Sequence, residues 1–224
     1  MLIDDVVEEL APFGLYSLGS FKPDARDKVP LLADGRLACT ALMVGNAGPG
    51  MWKRFLDGHR DCVSPLDTWT SEVLTQVAGG FGAIVLYPFQ RPYLPFQQWA
   101  LRTGACHPSP LGILIHRDYG LWHALRGALL FPRKIEPAVE PRPPSPCDSC
   151  PGRPCLNACP VAAFSDAGYN ASRCLSRLSE SDGDDCMAFG CGARRACPVG
   201  VAYRYEPAQA HFHMEAFRQT FDRS

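Results

Sequence analysis

Cysteine thiols are the side chains in this sequence with the clearest capacity for chemistry. The 224-residue chain contains 11 cysteines, and eight of them fall between positions 147 and 197. Thiolates bind soft metal ions and take part in redox reactions. The segment "CDSCPGRPCLNACP", residues 147–160, holds four of the eight and ends in Cys-Pro. This clustering indicates that metal-binding or redox chemistry is confined to one module of the chain.

The spacing of the first four cysteines is C-x2-C-x4-C-x3-C-P. Bacterial ferredoxins use C-x2-C-x2-C-x3-C-P, in which the fourth cysteine ligates the other of two clusters. Three thiolates on a tight loop can wrap one iron–sulfur cubane. The fourth is held at an offset by the proline that follows it and reaches a neighbouring cubane. Eight cysteines equal the ligand requirement of two [4Fe–4S] clusters.

The expected cross-ligation divides the eight cysteines into two sets. Set 1 is Cys147, Cys150, Cys155 and Cys197. Set 2 is Cys159, Cys174, Cys186 and Cys191. The intervals from Cys150 to Cys155 and from Cys191 to Cys197 are longer than in the simple ferredoxin pattern. Arg194 and Arg195 lie in the second interval, where they are interpreted as charges that raise a cluster's potential or as a docking patch for an acidic electron donor.

Other cofactors and bonds use the same residue type. Structural zinc also binds C-x2-C pairs, although two Cys-Pro ends and the lack of a regular second C-x2-C pair suit it less well. Disulfides suit the module but not a cytoplasmic compartment. A single cluster, with the remaining cysteines merely buried, is a further alternative. Iron–sulfur binding is the prediction, and these alternatives stay open.

The composition limits the class of protein. Hydrophobic residues make up 46% of the chain, and the formal net charge is −1, so neither nucleic acid nor a membrane is expected as a partner. No apolar run approaches the roughly 20 residues of a membrane span. The acidic start "MLIDDVVEEL" lacks the basic and apolar regions of a secretory signal. A cytoplasmic protein is therefore expected.

Residues 1–134 are predicted to form an α+β domain. Helices are expected at 3–10, 65–80 and 96–103, the second with Asp67 or Thr68 as N-cap and Gly79-Gly80 as its stop. Strands are expected at the apolar runs 37–44, 81–89 and 110–116. The apolar run 121–131 is compatible with a helix or a strand. Residues 135–146 are predicted as a proline-rich linker, 147–200 as the cysteine module and 201–224 as a C-terminal helix.

From Cys147 onward the sequence resembles the ferredoxin module of epoxyqueuosine reductases and corrinoid-dependent reductive dehalogenases. After "CDSCPGRPCLNACP", the stretch Arg173-Cys174-Leu175-Ser176 is similar to the family segment that supplies a lone cluster ligand. The cysteines that end at Pro198 resemble the family's terminal group. Upstream, "WALRTGACHPSPLGILIHRDYGLWHALRGALLF" is similar to the same families and to the CblC-type cobalamin-processing protein.

The resemblance implies a nitroreductase-like α/β sandwich domain followed by a small ferredoxin-like iron–sulfur module. It implies an oxidoreductase that passes electrons through two [4Fe–4S] clusters to a cofactor, with cobalamin as the leading candidate, or to a small-molecule substrate in the N-terminal domain. The expected electron donor is a ferredoxin or flavodoxin. The alternative is a non-enzymatic ferredoxin-like electron carrier or a cobalamin-binding chaperone.

Four residues upstream of the cysteines are candidates for cofactor binding. Arg102, His107 and His116 belong to a group of basic residues that would suit an anionic cofactor tail, and ordinary surface or structural roles are the alternative. Trp122 lies within the resembling segment, where it is expected to line a cofactor cavity or to pack in the core.

The catalytic part of the family pattern does not carry over. Epoxyqueuosine reductases place a catalytic Asp shortly before an Arg/Lys-Ala-Gly turn, but this chain has no Asp or Glu from Val73 to Arg117. A general acid from that segment would have to be a non-carboxylate such as Tyr93 or His107. No catalytic residue is therefore assigned from the sequence.

Overall fold

The computed structural model describes residues 3–59, 61–135, 143–165, 168–179 and 185–222. Most of the predicted linker, 135–146, lies outside these residues. Within them, helices are α1 (Ile3–Leu10), α2 (Gly50–Gly58), α3 (Pro65–Phe81), α4 (Phe96–Thr103), α5 (Pro154–Asn157), α6 (Ala171–Ser179), α7 (Asp185–Phe189), α8 (Gly192–Arg195) and α9 (Pro207–Asp222). Strands are β1 (Leu15–Phe21), β2 (Thr40–Ala47), β3 (Ile84–Leu86), β4 (Cys106–Pro108), β5 (Leu114–His116), β6 (His123–Phe131), β7 (Phe164–Ser165) and β8 (Gly168–Tyr169).

The chain divides into two compact units. Unit 1 comprises Met1–Cys106 and His123–Pro143, and unit 2 comprises His107–Trp122 and Pro144–Ser224. Residues 107–122 therefore group with the cysteine-bearing part of the chain, whereas the sequence placed them in the N-terminal domain. None of the helices that the structure describes combines the length and the apolar character that a membrane crossing requires.

Unit 1 is built on an antiparallel sheet with the strand order β1-β2-β6-β3. Every residue of β2 is buried, and the strand lies between β1 and β6 inside the sheet. The strand predicted at 37–44 therefore exists but begins and ends three residues later. The undecided run 121–131 is the strand β6, whose last five residues are buried. The mixed α+β class predicted from the sequence is confirmed.

A β-bulge interrupts the pairing of β2 with β6. Val44 pairs with Gly127 and Gly45 pairs with Leu125, so Arg126 is the extra residue. The Arg126 side chain donates from Nε to Oδ1 of the buried Asn46 at 2.8 Å. Arg126, which the bulge removes from the pairing of β2 with β6, thus donates a hydrogen bond to the buried side-chain amide of Asn46.

Two predictions about α3 and β3 were wrong in detail. Helix α3 starts at Pro65 after Ser64, because proline suits the first helical position, and not at Asp67 or Thr68. It continues through Gly79-Gly80 and ends before Gly82, which adopts the left-handed conformation of a C-cap with φ of 63°. Strand β3 covers only three of the residues 81–89, and Ile84 is 43% exposed, because β3 lies at the sheet edge.

The apolar core of unit 2 includes cysteine side chains. One buried cluster contains Leu111, Ile115, Leu121, Cys155, Ala193 and Cys197. Of the strand predicted at 110–116, only the last three residues form a strand, β5. Leu111, which precedes β5, contributes its side chain to this cluster. Residues 107–122 thus provide apolar cover for thiols that lie far along the chain.

Two glycines allow the backbone of residues 119–120 to touch the segment after the last cysteine. Gly120 and Gly200 have φ of +57° and +71°. A Cβ on Gly120 would overlap the Val199 carbonyl, and a Cβ on Gly200 would overlap the Tyr119 carbonyl. Only glycine meets both requirements, a left-handed backbone and the close approach. This contact fixes the turn at Gly120 against the chain that follows Cys197.

Candidate metal centres

The four cysteines of set 1 line one pocket of unit 2, which we call pocket 1. The pocket contains about 370 Å³ of empty space, part of which is open to solvent. Cys147 and Cys150 lie on a turn, Cys155 lies on α5, and Cys197 follows α8. Leu111, Ile115 and Leu121 complete the apolar side of the lining.

The four cysteines of set 2 line a second pocket of unit 2, pocket 2, with about 340 Å³ of empty space. Cys159 follows α5, Cys174 lies on α6, Cys186 lies on α7 and Cys191 precedes α8. Phe164, Leu178 and Met214 are among the apolar residues around them.

Two short helices connect the pockets. Along α5 the chain passes from Cys155 in pocket 1 to Cys159 in pocket 2, and along α8 it passes from Cys191 back to Cys197. Ala193, on α8, is fully buried, lines pocket 2 and packs in the same apolar cluster as Cys155 and Cys197. The alternation that the sequence suggested for cross-ligation is therefore present as a grouping of side chains.

The proline of each Cys-Pro pair lines the same pocket as the cysteine that precedes it. Pro160 belongs to pocket 2 and Pro198 to pocket 1. Helix α8 approaches the end of α5 closely, because a Cβ on Gly192 would lie 3.1 Å from the Ala158 carbonyl oxygen. Small residues on α8 thus let the two connecting helices pack together.

Burial dominates the electrostatics of the thiols. It raises the pKa of four of them, and neighbouring thiols raise it further; these are Cys147, Cys155, Cys191 and Cys197. The thiols without a metal are therefore protonated near neutral pH, and metal binding must release their protons.

Backbone N–H groups donate hydrogen bonds to several sulfurs. Ala163 donates from its backbone N–H to Cys159 Sγ at 3.3 Å. The N–H of Val199 does the same for Cys197 and lowers its pKa, as do the N–H groups of Ala193 and Arg194 for Cys191. Such donors stabilise the thiolate, which is the form that binds metal.

The donor chemistry of both pockets fits iron–sulfur clusters. Each pocket presents four soft thiol ligands, apolar walls and N–H donors directed at sulfur, the features by which proteins bind and tune such clusters. All 11 cysteines are free thiols in the structure. Among the described residues, no three His, Cys, Asp or Glu side chains form a group that could hold a single metal ion.

Arg102 belongs to unit 1, where its guanidinium has protein partners. Its Nε lies 3.3 Å from Oδ1 of Asp27, and its Nη2 lies 3.3 Å from Oδ2 of Asp24. Nη2 also donates to the Lys22 carbonyl at 3.1 Å. These contacts join α4 to the segment after β1.

The other three candidate cofactor residues belong to unit 2. His107 is partly buried, and its Nε2 atom has no hydrogen-bond partner within the described part of the chain. His116 is buried, and its Nδ1 accepts from the backbone N–H groups of Asp118 at 3.1 Å and Tyr119 at 3.3 Å. The neutral imidazole therefore carries its proton on Nε2. Trp122 is 1% exposed, and its indole N–H is without a partner among the described residues.

Arg194 holds Trp122 in place, a role that the sequence did not indicate. Its guanidinium carbon lies 4.6 Å from the Trp122 ring centre and 4.5 Å from that of Tyr205. Its Nε donates to the Leu121 carbonyl at 2.7 Å. Arg195 forms an ion pair with Asp185. The hypothesis that these two arginines act as tuning charges or as a docking patch stays a prediction.

Several solved structures share the architecture of this chain. An epoxyqueuosine reductase from Streptococcus thermophilus superposes with a TM-score of 0.56 at 18% identity, covering 93% of this chain and 70% of that one. The C. elegans B12-trafficking protein CblC, a human MMACHC homologue, superposes with a TM-score of 0.55 at 17% identity, covering 96% and 94%. The chain has the fold of epoxyqueuosine reductases and of CblC. No protein-family model and no curated protein sequence matches it.

A third structure is an epoxyqueuosine reductase with an epoxyqueuosine-modified tRNA-Tyr stem loop, at a TM-score of 0.55, 17% identity and coverages of 93% and 70%. At these identities the likeness shows the fold alone. The suspected likeness to both groups is confirmed at the level of the fold, and so is the mixed α+β class.

Proposed function

We propose that this protein is an iron–sulfur redox protein in which set 1 and set 2 each hold one [4Fe–4S] cluster. The observation that supports this most is the grouping of eight cysteines into two pockets of four, interleaved along the chain. Zinc sites built on cysteine commonly use two C-x2-C pairs. Of the four cysteines of pocket 1, Cys147 and Cys150 form such a pair and Cys155 and Cys197 do not.

When bound, the clusters supply one-electron transfer at a potential set by ligands, hydrogen bonds and solvent access. The chain's own residues would perform the other tasks. The thiols bind the clusters, the apolar side chains from 107–122 limit water at pocket 1, and the backbone N–H groups stabilise negative charge on sulfur.

The electrons would serve a cofactor or small-molecule substrate bound by the N-terminal part of the chain. Cobalamin is the leading candidate, because the fold is shared with a B12-trafficking protein. The proposed donor is a ferredoxin or flavodoxin. We do not extend the epoxyqueuosine reaction to this chain, because the segment from Val73 to Arg117 contains no carboxylate to act as a general acid.

A second candidate function is a cobalamin-binding chaperone or an electron carrier that acts on a partner. One observation favours it: the match to CblC covers 94% of that protein, whereas the match to the Streptococcus reductase covers 70% of that enzyme. The missing carboxylate is consistent with it as well.

Anaerobic purification followed by iron and sulfide quantification tests the cluster proposal. About eight irons and eight sulfides per chain are expected, with electron paramagnetic resonance (EPR) signals of reduced clusters after dithionite treatment. Stoichiometric zinc, or metal-free protein after anaerobic reconstitution, would contradict it.

Titration with hydroxocobalamin tests the cobalamin part independently of the clusters. Binding is expected to change the visible spectrum of the corrinoid and to saturate at one equivalent. The same titration with the metal-free protein is the control, because it separates corrinoid binding from reduction by the clusters. An unchanged spectrum at saturating protein would contradict cobalamin binding and leave the cluster proposal intact.

A further inference from the structure

The interval between the second and third cysteines of set 1 places an arginine at the wall of pocket 1. Cys150 and Cys155 are separated by Pro151-Gly152-Arg153-Pro154, which is two residues more than in the bacterial ferredoxin pattern. Arg153 lines pocket 1 together with the four cysteines of set 1. Among the described residues of this lining, it is the only ionisable side chain apart from the thiols. The longer interval therefore brings one positive charge to an otherwise mainly apolar wall.

The backbone of Arg153 is left-handed, with φ of 40° and ψ of 61°. Glycine adopts this conformation without steric cost, whereas a residue with a Cβ atom does not. The residue before a proline is in addition steered toward an extended backbone, and Pro154 follows. Strained residues of this kind cluster at functional sites. Since the backbone would be better served by glycine, the side chain of Arg153 is the feature that needs a role.

The charge of Arg153 differs from that of the two arginines on α8. A guanidinium stays charged at every physiological pH, and no ion pair of Arg153 is present in the described part of the chain. Arg194 and Arg195 line neither pocket, and Arg195 forms an ion pair with Asp185. Of these three arginines, Arg153 is therefore the one whose charge is uncompensated and lies at a pocket wall.

We propose that Arg153 raises the reduction potential of the cluster held in pocket 1. The inference rests on the proposed function, because it requires a cluster in that pocket. Reduction adds one negative charge to the cluster and its thiolate ligands. A fixed positive charge at the pocket wall stabilises the reduced state more than the oxidised state. Arg153 is exposed, so solvent and salt screen this attraction and keep it moderate.

Redox titration of the anaerobically reconstituted full chain, followed by EPR, tests the inference. Arg153→Gln removes the charge, so the midpoint potential of the pocket 1 cluster should become more negative. The expected change is three- to tenfold in the reduction equilibrium, which is about 28–59 mV for a one-electron couple. The same titration in a Cys174→Ala background, which removes a ligand from pocket 2, identifies the midpoint that belongs to pocket 1.

The dependence on salt separates a charge effect from a structural one. The screening length falls from about 30 Å at 0.01 M salt to about 3 Å at 1 M. The difference in midpoint between the wild type and Arg153→Gln should therefore be larger at 0.01 M than at 1 M. A role in the shape of the turn alone would give the same difference at both concentrations.

Two further substitutions at the same position separate charge from backbone strain. Arg153→Lys keeps the charge and should keep the wild-type midpoint. Arg153→Gly removes the charge and suits the left-handed backbone, so it should shift the midpoint as Arg153→Gln does. Arg173→Gln is the matched control, because Arg173 is an exposed arginine on α6 that lines neither pocket. It should leave both midpoints in place.

Three results with iron-loaded variants would overturn the inference. These are an unchanged pocket 1 midpoint in Arg153→Gln and Arg153→Gly, a shift in Arg153→Lys as large as in Arg153→Gln, and a shift that is equal at the two salt concentrations. Loss of the pocket 1 cluster from both charge-free variants would also overturn it, because Arg153 would then act in cluster retention. Wild-type protein without iron would overturn the proposed function as well.

Discussion

At the scale of the residue, the environment of each cysteine separates ligand candidates from bystanders. The eight thiols of sets 1 and 2 line two pockets, whereas Cys39 and Cys62 are exposed and Cys106 is buried at a strand end. Cys106 Sγ lies 3.7 Å from His123 Nε2, but burial raises the pKa of this thiol to about 12. A neutral buried thiol is a packing residue and not an activated nucleophile.

Cys174→Ala should remove the cluster of pocket 2 and leave that of pocket 1. The iron content is expected to fall from about eight to about four per chain, because pocket 2 would retain three of its four thiol ligands and would hold its cluster less tightly. Iron quantification and EPR on anaerobically reconstituted protein measure this. Cys62→Ala is the control, as an exposed cysteine outside both pockets. An unchanged iron content would refute the ligand role of Cys174.

Cys106 should resist alkylation across the neutral range. With a pKa of about 12, its thiolate fraction at pH 9 is about one part in a thousand, so a rise from pH 7 to pH 9 should leave it almost unmodified. Cys39 and Cys62 are exposed and should react first. Iodoacetamide labelling of the cluster-loaded protein with peptide mass spectrometry reads out each site. Labelling of Cys106 at the rate of Cys62 would show that the thiol is accessible and ionised.

At the scale of the element, the sequence predicts strongly periodic segments well and irregular ones poorly. The bounds predicted for α1 and α4 match the structure, because an amphipathic period and a following turn define them. Strand β1 was missed. Its register shifts between Ser17 and Ser20, so its buried positions recur every third residue and the alternation typical of a strand is lost.

The same limit applies to the candidate site. The two cysteine sets follow from ligand number and the Cys-Pro offset, and the two pocket linings contain the same sets. The cover that Leu111, Ile115 and Leu121 give to pocket 1 depends on contacts between segments far apart in sequence. No local pattern could reveal it. Gly120 and Gly200 were visible in the sequence as glycines. The reason that each must be glycine is its close approach to a backbone carbonyl of the other segment, which only the structure shows.

Gly120→Ala should destabilise unit 2 because the added methyl group would overlap the Val199 carbonyl and the backbone there is left-handed. A decrease of about 2–4 kcal/mol in the free energy of unfolding is expected. Denaturant unfolding of the cluster-loaded chain, followed by the visible absorbance of the clusters, measures it. Gly112→Ala is the matched control, since Gly112 has φ of +74° but open space around it. Equal effects of the two substitutions would show that backbone strain alone matters and that the contact at Val199 does not.

At the scale of the whole molecule, the chain is organised as two units, and each unit is assembled from two separate segments of the sequence. Residues 107–122 interrupt unit 1 and supply part of the pocket 1 lining in unit 2. A segment that links α4 to the central strand β6 of unit 1 therefore also completes a site built mainly from residues after 144. Substitutions in this segment should affect cluster retention, although they lie outside the cysteine module.

Ile115→Ala should make the cluster of pocket 1 more labile in air. Ile115 is 1% exposed and packs beside Cys155 and Cys197, so its truncation leaves a cavity at the pocket wall. Such truncations cost about 2–5 kcal/mol, so local opening should admit oxidant about tenfold faster or more. The decay of visible absorbance after exposure to air measures this loss.

Leu42→Ala removes a fully buried side chain from the sheet of unit 1 and is the control for general destabilisation. Equal decay rates for the two variants would mean that residues 107–122 do not protect the cluster. Faster decay of half of the absorbance in Ile115→Ala alone would assign that protection to this segment.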